Sequence, residues 1–273
     1  MAHRHHHHPH TEGILTLDAL AARSGLRGVS PGLKTVFSVG SLLLCVGAAD
    51  PVVGAAVACS MAAIIWLLGK VPLDRLLRLL RLPLLFLAVS CLVILMDFTK
   101  APVGLWQLRL GGLWLCVTAQ SLERAVTLFF QAMGAVCCLY FLSTSTPMPQ
   151  LIEVLRKCRL PELMIELMYL IYRYLFVLLE VQRQLTVAAT ARLGYVGLRR
   201  SVSTAGRVSG TLLASSFRRS RACFDAMESR GYDGKLAFLS HAPRLRPGHL
   251  LAAVAYVLAL LGLIFARKGW LYP

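Results

Sequence analysis

The sequence predicts an all-α, polytopic membrane protein with about five transmembrane helices and long amphipathic helices on the cytoplasmic side. Of its 273 residues, 57% are hydrophobic and only 15% are charged, against about 25% in soluble domains. So few charges do not cover a water-soluble globule of this length, which indicates lipid as the solvent. The formal net charge is +16. The basic residues lie between and after the apolar runs, as is typical of cytoplasmic segments.

Residues 1–30 are predicted to form a His-rich tail followed by an amphipathic entry segment. The tail begins Met-Ala-His-Arg-His-His-His-His-Pro-His. It is interpreted either as a purification tag, although Arg4 and Pro9 interrupt the histidines, or as a native tail that collects metal ions. The stretch is therefore left out of the fold prediction.

Residues 31–146 are predicted to contain four transmembrane helices. Asp50-Pro51 separates the first two apolar runs so closely that they form a tight hairpin, with Lys34 and Lys70 on the same side. The four predicted spans are Leu33–Ala49, Val52–Gly69, Leu82–Phe98 and a long helix from Leu113 or Ser121 to Leu142.

Two segments flank the third of these spans. Before it, Arg75, Arg78 and Arg81 recur every three residues among leucines, which predicts an interfacial amphipathic helix. After it, Asp97–Gly112 has few charges and three glycines, which predicts an external loop with strand character at Trp106–Leu110.

Residues 147–243 are predicted to be cytoplasmic coupling helices. Glu162–Val181 is apolar enough to resemble a span, but a fifth span here would place residues 181–246 outside the membrane. That segment has twelve Lys and Arg residues against three acidic ones, a net charge of +9, which favours the inside. Pro161 to about Arg199 is therefore predicted to be an amphipathic helix at the membrane surface, although crossing by residues 161–181 stays open.

The same segment has three charged residues on one helical face. Glu166, Arg173 and Glu180 are seven residues apart and lie within roughly 40° of one another at 100° per residue. Charges on a true span are costly, so this face is expected to point away from lipid.

A second coupling helix is predicted at residues 202–229, with two distinct surfaces. A basic stripe is interpreted either as a solvated or lipid-facing surface or as a docking face for a soluble partner. A stripe of small residues lets two helices cross closely. The basic stripe is Arg207, Arg218 and Arg221, and the helix-crossing stripe is Ser209, Ser216 and Cys223.

Residues 244–273 are predicted to contain the last transmembrane helix, at Leu250–Ala266. Arg267 and Lys268 would then be external, a small departure from the positive-inside tendency that the larger basic segment outweighs.

Motifs for catalysis and cofactor binding are missing from the sequence. It has no Walker A lysine loop, HExxH, GxSxG or GxGxxG. The eight cysteines have no CxxC spacing and are interpreted as small buried apolar residues. We therefore expect a non-catalytic chain with no cofactor, no metal site and no nucleic-acid partner, since the apolar runs make the last improbable.

Two short motifs end the two amphipathic helices. The first is Ala191-Arg192-Leu193-Gly194, and the second is Glu228-Ser229-Arg230-Gly231-Tyr232-Asp233-Gly234. In each, an arginine is followed by a glycine in the manner of a helix C-cap. The guanidinium is then free to point from the helix end toward a carboxylate.

This pattern resembles the T component of energy-coupling factor transporters, most closely the cobalt-transport CbiQ type. The stretches Leu17–Ala21 and Ser30–Lys34 also resemble that type, and the resemblance covers about residues 14–266. It departs from the family pattern at Leu193, which lies between arginine and glycine, and at Ser229, where alanine is usual.

The resemblance implies a mechanism and a set of partners. Arg192 and Arg230 would dock into grooves of two ATP-binding cassette ATPase subunits, with Ala191, Gly194, Ser229 and Gly231 beside them. A separate substrate-binding membrane subunit, the S component, would rest on the apolar face of the coupling helices within the lipid bilayer. Closure of the ATPase dimer would move the helices and tip that subunit.

Other functions remain open at this point. The cargo implied is cobalt, with nickel second and a vitamin as a further alternative. A non-energised scaffold that binds anionic lipid also fits the basic helices. A lipid-modifying membrane enzyme would need clustered carboxylates or histidines at one membrane face, and the sequence shows none.

Overall fold

A computed structural model describes residues 21, 24–95, 97–99, 106–110, 113–234 and 247–271. The predictions made for the His-rich tail fall outside these residues. The chain divides into two compact units. Of the described residues, we call those within 12–147 and 242–273 the membrane unit, and those within 148–241 the hairpin unit.

The membrane unit is built from five apolar helices. Four of them are long and apolar enough to cross a membrane, and α2, with 17 residues, is apolar but shorter. The prediction of a helical membrane protein with about five spans is thus confirmed in architecture. The helices are α1 Pro31–Ala48, α2 Pro51–Leu67, α3 Leu73–Leu95, α4 Ala119–Ser145 and α8 Pro247–Leu271.

A small antiparallel sheet interrupts the helices between α3 and α4. Its strands are β1 Asp97–Thr99, β2 Trp106–Leu110 and β3 Leu113–Val117, in the order β1-β3-β2. The expected strand at Trp106–Leu110 is therefore confirmed, and a start of the next helix at Leu113 is wrong. That helix begins at Ala119 because the Thr118 backbone N–H donates to Ser121 Oγ at 3.1 Å and so caps the first turn.

The centre of the membrane unit is the crossing of α2 and α4. A Cβ on Gly54 would lie 2.6 Å from the backbone carbonyl carbon of Phe130, and one on Gly134 would lie 2.9 Å from the Gly54 oxygen. Glycine is required at both positions because the two backbones meet there. The residues of α2 that are buried beside this crossing are Val53, Val57, Met61 and Ile65.

Polar groups of α1 bond to the backbone of α4. Lys34 is only 2% exposed, and its Nζ donates to the carbonyl oxygen of Ser145 at 2.9 Å. Ser38 Oγ donates to the carbonyl of Cys138 at 2.7 Å. The ammonium of Lys34 thus caps the last turn of α4, where backbone carbonyls lack helical partners.

A proline within α3 is compensated by a side chain of α4. Pro83 has no backbone N–H, so the carbonyl of Leu79, four residues earlier, loses its helical donor. The hydroxyl of Tyr140 donates to that carbonyl at 3.0 Å. In a membrane span an unpaired carbonyl is costly, and Tyr140 removes that cost.

The last helix makes two polar contacts, one with α2 and one with the residue that caps α2. Tyr256 Oη lies 2.6 Å from Ser60 Oγ, and Arg267 Nε lies 3.1 Å from Asp50 Oδ2. The other oxygen of Asp50 accepts the Val52 N–H at 2.9 Å and caps α2. Arg267, which departs from the positive-inside tendency, is therefore paired with Asp50.

The hairpin unit contains three helices, none of which is among the candidate membrane spans. They are α5 Met148–Lys157, α6 Glu162–Ala191 and α7 Leu198–Glu228. The predicted limits near Arg199 and at residue 202 are wrong by several residues. The chain turns earlier because Leu193 adopts φ 56° and Gly197 adopts φ 80°, both incompatible with a continuing helix.

Candidate functional site

The first arginine motif, Ala191–Gly194, forms a Schellman cap at the end of α6. The N–H of Leu193 donates to the carbonyl of Thr190 at 3.0 Å, and the N–H of Gly194 donates to that of Ala189 at 2.9 Å. Ala191 is the last helical residue, and Arg192 occupies the cap position with its side chain exposed. Leu193 has the left-handed conformation that usually falls to glycine.

The second arginine motif, Glu228–Gly234, closes α7 with the same pair of hydrogen bonds. The N–H of Gly231 donates to the carbonyl of Glu228 at 3.0 Å, and the N–H of Tyr232 donates to that of Met227 at 3.1 Å. Ser229 is still helical, with φ −63° and ψ −17°, and Gly231 has φ 76°. Arg230 therefore stands directly before the left-handed residue, with its side chain exposed.

The two caps are structurally equivalent, and they correct the alignment suggested by sequence. The residue equivalent to Gly231 is Leu193, not Gly194. Leu193 is thus no insertion, because it occupies the left-handed position itself. Arg192 and Arg230 are equivalent, and within the part of the chain that the structure describes, neither guanidinium has a hydrogen bond or ion pair.

Gly194 is needed for close packing, not for its backbone conformation. Thr204 of α7 donates its hydroxyl to the Gly194 carbonyl at 2.7 Å. A Cβ on Gly194 would lie 2.9 Å from both the hydroxyl oxygen and the methyl carbon of Thr204. This glycine therefore lets α7 approach the first arginine motif closely.

The second motif also contacts the other helix. The hydroxyl of Tyr232 donates to Oε2 of Glu166 at 3.1 Å, and Glu166, near the start of α6, is 6% exposed. This hydrogen bond to the carboxylate, with a smaller effect of desolvation, raises the pKa of Tyr232. Glu166, Arg173 and Glu180 share one predicted helical face, yet Arg173 and Glu180 are exposed and Glu166 is buried.

Helices α6 and α7 lie antiparallel. Contacts join Gly194 to Thr204 at one end and Glu166 to Tyr232 at the other, and Tyr174 contacts Cys223 about two turns in from the second of these ends. A hydrogen bond to Cys223 raises the pKa of Tyr174. The two arginine motifs therefore lie at opposite ends of the hairpin, separated by roughly the length of a 30-residue helix, about 45 Å.

The surface of α7 has three sides. The side toward α6 is half-buried, and next to it runs an exposed apolar stripe, followed by the exposed basic stripe of Arg207, Arg218 and Arg221. Of the predicted small residues, Ser216 and Cys223 are half-buried and Ser209 is exposed. The members of the apolar stripe are Val202, Leu213, Phe217 and Phe224.

The residues that contact these motifs from the other helix are not recognisable in the sequence. Thr204 and Tyr232 have no distinctive spacing, and Glu166 was noted only for its helical face. Among the described residues, no group of three or more His, Cys, Asp or Glu side chains is arranged to hold a metal ion.

Apolar helices of membrane-spanning length, joined in one chain to a basic helical hairpin with capped arginine ends, define a polytopic membrane protein. The family described as cobalt transport protein, CbiQ, matches residues 22–241. The chain belongs to this CbiQ family and is a membrane component of cobalt transport.

Individual relatives agree with the family. The chain is 31% identical over 250 residues to the cobalt transport protein CbiQ of Rhodobacter capsulatus, covering 90% of this chain and 97% of the relative. It is 27% identical over 170 residues to CbiQ of Salmonella typhimurium, covering 62% of this chain and 75% of that one.

A longer relative carries a second segment. The chain is 30% identical over 262 residues to a protein of Methanocorpusculum labreanum whose name describes a fused cobalt transport protein, CbiMQ. The match covers 95% of this chain but only 43% of the fused protein.

Proposed function

We propose that this chain is the transmembrane energy-coupling subunit of an ATP-driven uptake transporter of the energy-coupling factor type, with cobalt as cargo and nickel second. ATP hydrolysis would take place on partner ATP-binding cassette ATPases, and this chain would be non-catalytic. The observation that carries the proposal is the pair of equivalent caps, each ending in an exposed arginine without a partner in the described chain.

The spacing of the two arginines suits two ATPase subunits. Because α6 and α7 are antiparallel, Arg192 and Arg230 face separate docking sites, about one helix length apart. Each guanidinium would bind a carboxylate in a groove of one subunit. When the ATPase dimer closes on ATP, the two docking sites move together and carry both helix ends with them.

The exposed surfaces of α7 suit two different partners. The apolar stripe would support a substrate-binding membrane subunit, and the basic stripe of Arg207, Arg218 and Arg221 would face a soluble partner at the cytoplasmic side. The helix-crossing residues Ser209, Ser216 and Cys223 would allow close approach between helices. The fused name CbiMQ supports a partner of this kind, since it describes a second segment in one chain with the segment that matches here.

Charge reversal at the arginines tests the proposal. Arg192→Glu and Arg230→Glu are each expected to weaken ATPase association by at least about 30-fold, because truncating one partner of a buried charge pair costs about 2–5 kcal/mol. The measurement is the affinity of purified ATPase for the chain in lipid nanodiscs. Arg183→Glu, the same charge change at an exposed position within α6, is the control and should bind normally.

Retained ATPase affinity in the double variant would contradict the coupling role. The adjacent basic and apolar stripes of α7 would then favour the second candidate, a non-energised protein that binds anionic lipid. That function predicts binding to phosphatidylglycerol vesicles that Arg207→Glu and Arg218→Glu abolish. The cargo is identified by measuring the uptake of cobalt, of nickel and of a vitamin by the reconstituted complex under the same conditions.

A further inference from the structure

Each arginine motif is held by the helix that it does not belong to. The first motif ends α6, and its Gly194 carbonyl accepts a hydrogen bond from Thr204 of α7 at 2.7 Å. The second motif ends α7, and its Tyr232 hydroxyl donates to Glu166 of α6 at 3.1 Å. One cross-helix hydrogen bond therefore lies at each end of the hairpin, and at each end the partner belongs to the other helix.

The contact with Glu166 is specific in its geometry. Tyr232 is the second residue of the Schellman cap beyond Arg230, and its own N–H donates to the carbonyl of Met227 at 3.1 Å. One residue thus completes the cap through its backbone and reaches the other helix through its side chain. Glu166 is 6% exposed, so its carboxylate offers a fixed acceptor and not a mobile surface group.

The contact with Thr204 differs from the other threonine bonds of these helices. Thr211 donates its hydroxyl to Arg207 and Thr186 donates to Gln182, each four residues earlier in the same helix. Thr204 instead donates across to a residue ten positions earlier, beyond the turn. A Cβ at Gly194 would collide with Thr204, so the sequence leaves room for this bond.

We propose that Thr204 and the Tyr232–Glu166 pair are positioning residues that hold Arg192 and Arg230 in a docking geometry. The inference rests on the proposed coupling function and deepens it. Without these bonds each cap would fray, because helix ends open at low free energy. The arginine would then have to be ordered at the moment of docking, which lowers affinity.

Hydrogen exchange of the full chain in lipid nanodiscs gives the first test. Tyr232→Phe is expected to accelerate exchange at residues 227–234 at least about 5-fold, with no change at residues 189–196. Thr204→Val should produce the opposite pattern. The matched controls are Tyr195→Phe, which removes a hydroxyl beside the first motif, and Thr211→Val, which removes a hydrogen bond within α7.

Conservative variants separate positioning from general stability. Thr204→Ser keeps the hydroxyl and Glu166→Gln keeps an acceptor oxygen, so both should retain the protection that Thr204→Val and Glu166→Leu lose. If Tyr232→Phe and Thr204→Val exchange no faster than their controls, the positioning role is wrong.

A double-variant experiment links the bonds to docking. Tyr232→Phe should weaken ATPase binding by about 10-fold in the native chain. On an Arg230→Glu background Tyr232→Phe should cause no further loss of ATPase affinity, whereas on an Arg192→Glu background it should weaken binding by the same factor again. Equal effects on both backgrounds would overturn the inference. Normal binding by both arginine variants would instead contradict the proposed function, and hydrogen exchange would still decide the positioning role.

Discussion

The membrane unit and the hairpin unit are stabilised in different ways. In the membrane unit, α2 buries a continuous face against α4, and α1 and α8 pack beside it. In the hairpin unit, α7 buries no residue over its 31 positions and α6 buries only Ile165 and Glu166. Buried apolar area holds the first unit together, whereas the pairing of α6 with α7 depends on caps and individual cross-helix contacts.

Exposed apolar surface indicates different surroundings in the two units. The outer faces of α3 and α8 are exposed along helices of spanning length, so lipid covers them. The apolar stripe of α7, including Leu213 and Phe217, runs beside three arginines on a helix that is not a candidate span. Its apolar side chains therefore indicate a protein partner or a membrane surface, and its stability should respond to that partner.

The largest expected effect is at the crossing of α2 and α4. Gly54→Leu places a side chain against the backbone of Phe130. Because helix backbone cannot move aside as a flexible side chain can, the change should destabilise the membrane unit by about 3 kcal/mol or more. Size-exclusion chromatography in mild detergent and thermal unfolding measure this. Gly40→Leu in α1 is the control, because a Cβ there meets nothing within 4 Å. Similar behaviour of the two variants would contradict the buried crossing.

The next effect is at the proline of α3. Tyr140→Phe leaves the carbonyl of Leu79 without its donor and should cost about 1–2 kcal/mol in thermal unfolding. In a Pro83→Ala background the new N–H of residue 83 supplies that donor, so the same change should cost almost nothing. An equal cost in both backgrounds would mean that the hydroxyl acts elsewhere.

In the hairpin unit, the equivalent cap residues should respond with opposite signs. Leu193→Gly relieves a left-handed conformation that is costly for leucine and should stabilise the first cap by about 0.5–1 kcal/mol. Gly231→Leu introduces the same strain and should destabilise the second cap by about 1 kcal/mol. Local hydrogen exchange at the two caps measures both, and the same sign for both variants would refute their equivalence.

The smallest effect concerns pH. Hydrogen bonding to Glu166 raises the pKa of Tyr232, so the neutral phenol persists beyond the usual value of about 10. The cross-helix bond should therefore be fully present below that pH and be lost only as the phenol ionises above it. Titration of the ¹³C-labelled tyrosine signal should show a lower pKa in Glu166→Leu than in the native chain. An unchanged value would mean that the carboxylate is not the acceptor.

Much of the fold was predictable because it depends on local patterns. Several signals depend only on residues that are close together in the sequence. They are the apolar runs of spanning length, the Asp50-Pro51 break and the basic segment after residue 181. The same is true of the arginine motifs, whose glycines signal helix ends. The exact turn between α6 and α7 was misplaced, because a leucine adopts the left-handed conformation there and no composition rule predicts that.

The sequence by itself determined that this chain is a helical membrane protein and where arginines stand at helix ends. Only the tertiary structure decided that Lys34 caps α4, that Tyr140 compensates Pro83, and that Thr204 and Glu166 hold the opposite motifs. Hydropathy and capping depend on neighbouring residues along the chain. These four contacts join residues between ten and 111 positions apart, and they exist only once the helices pack together.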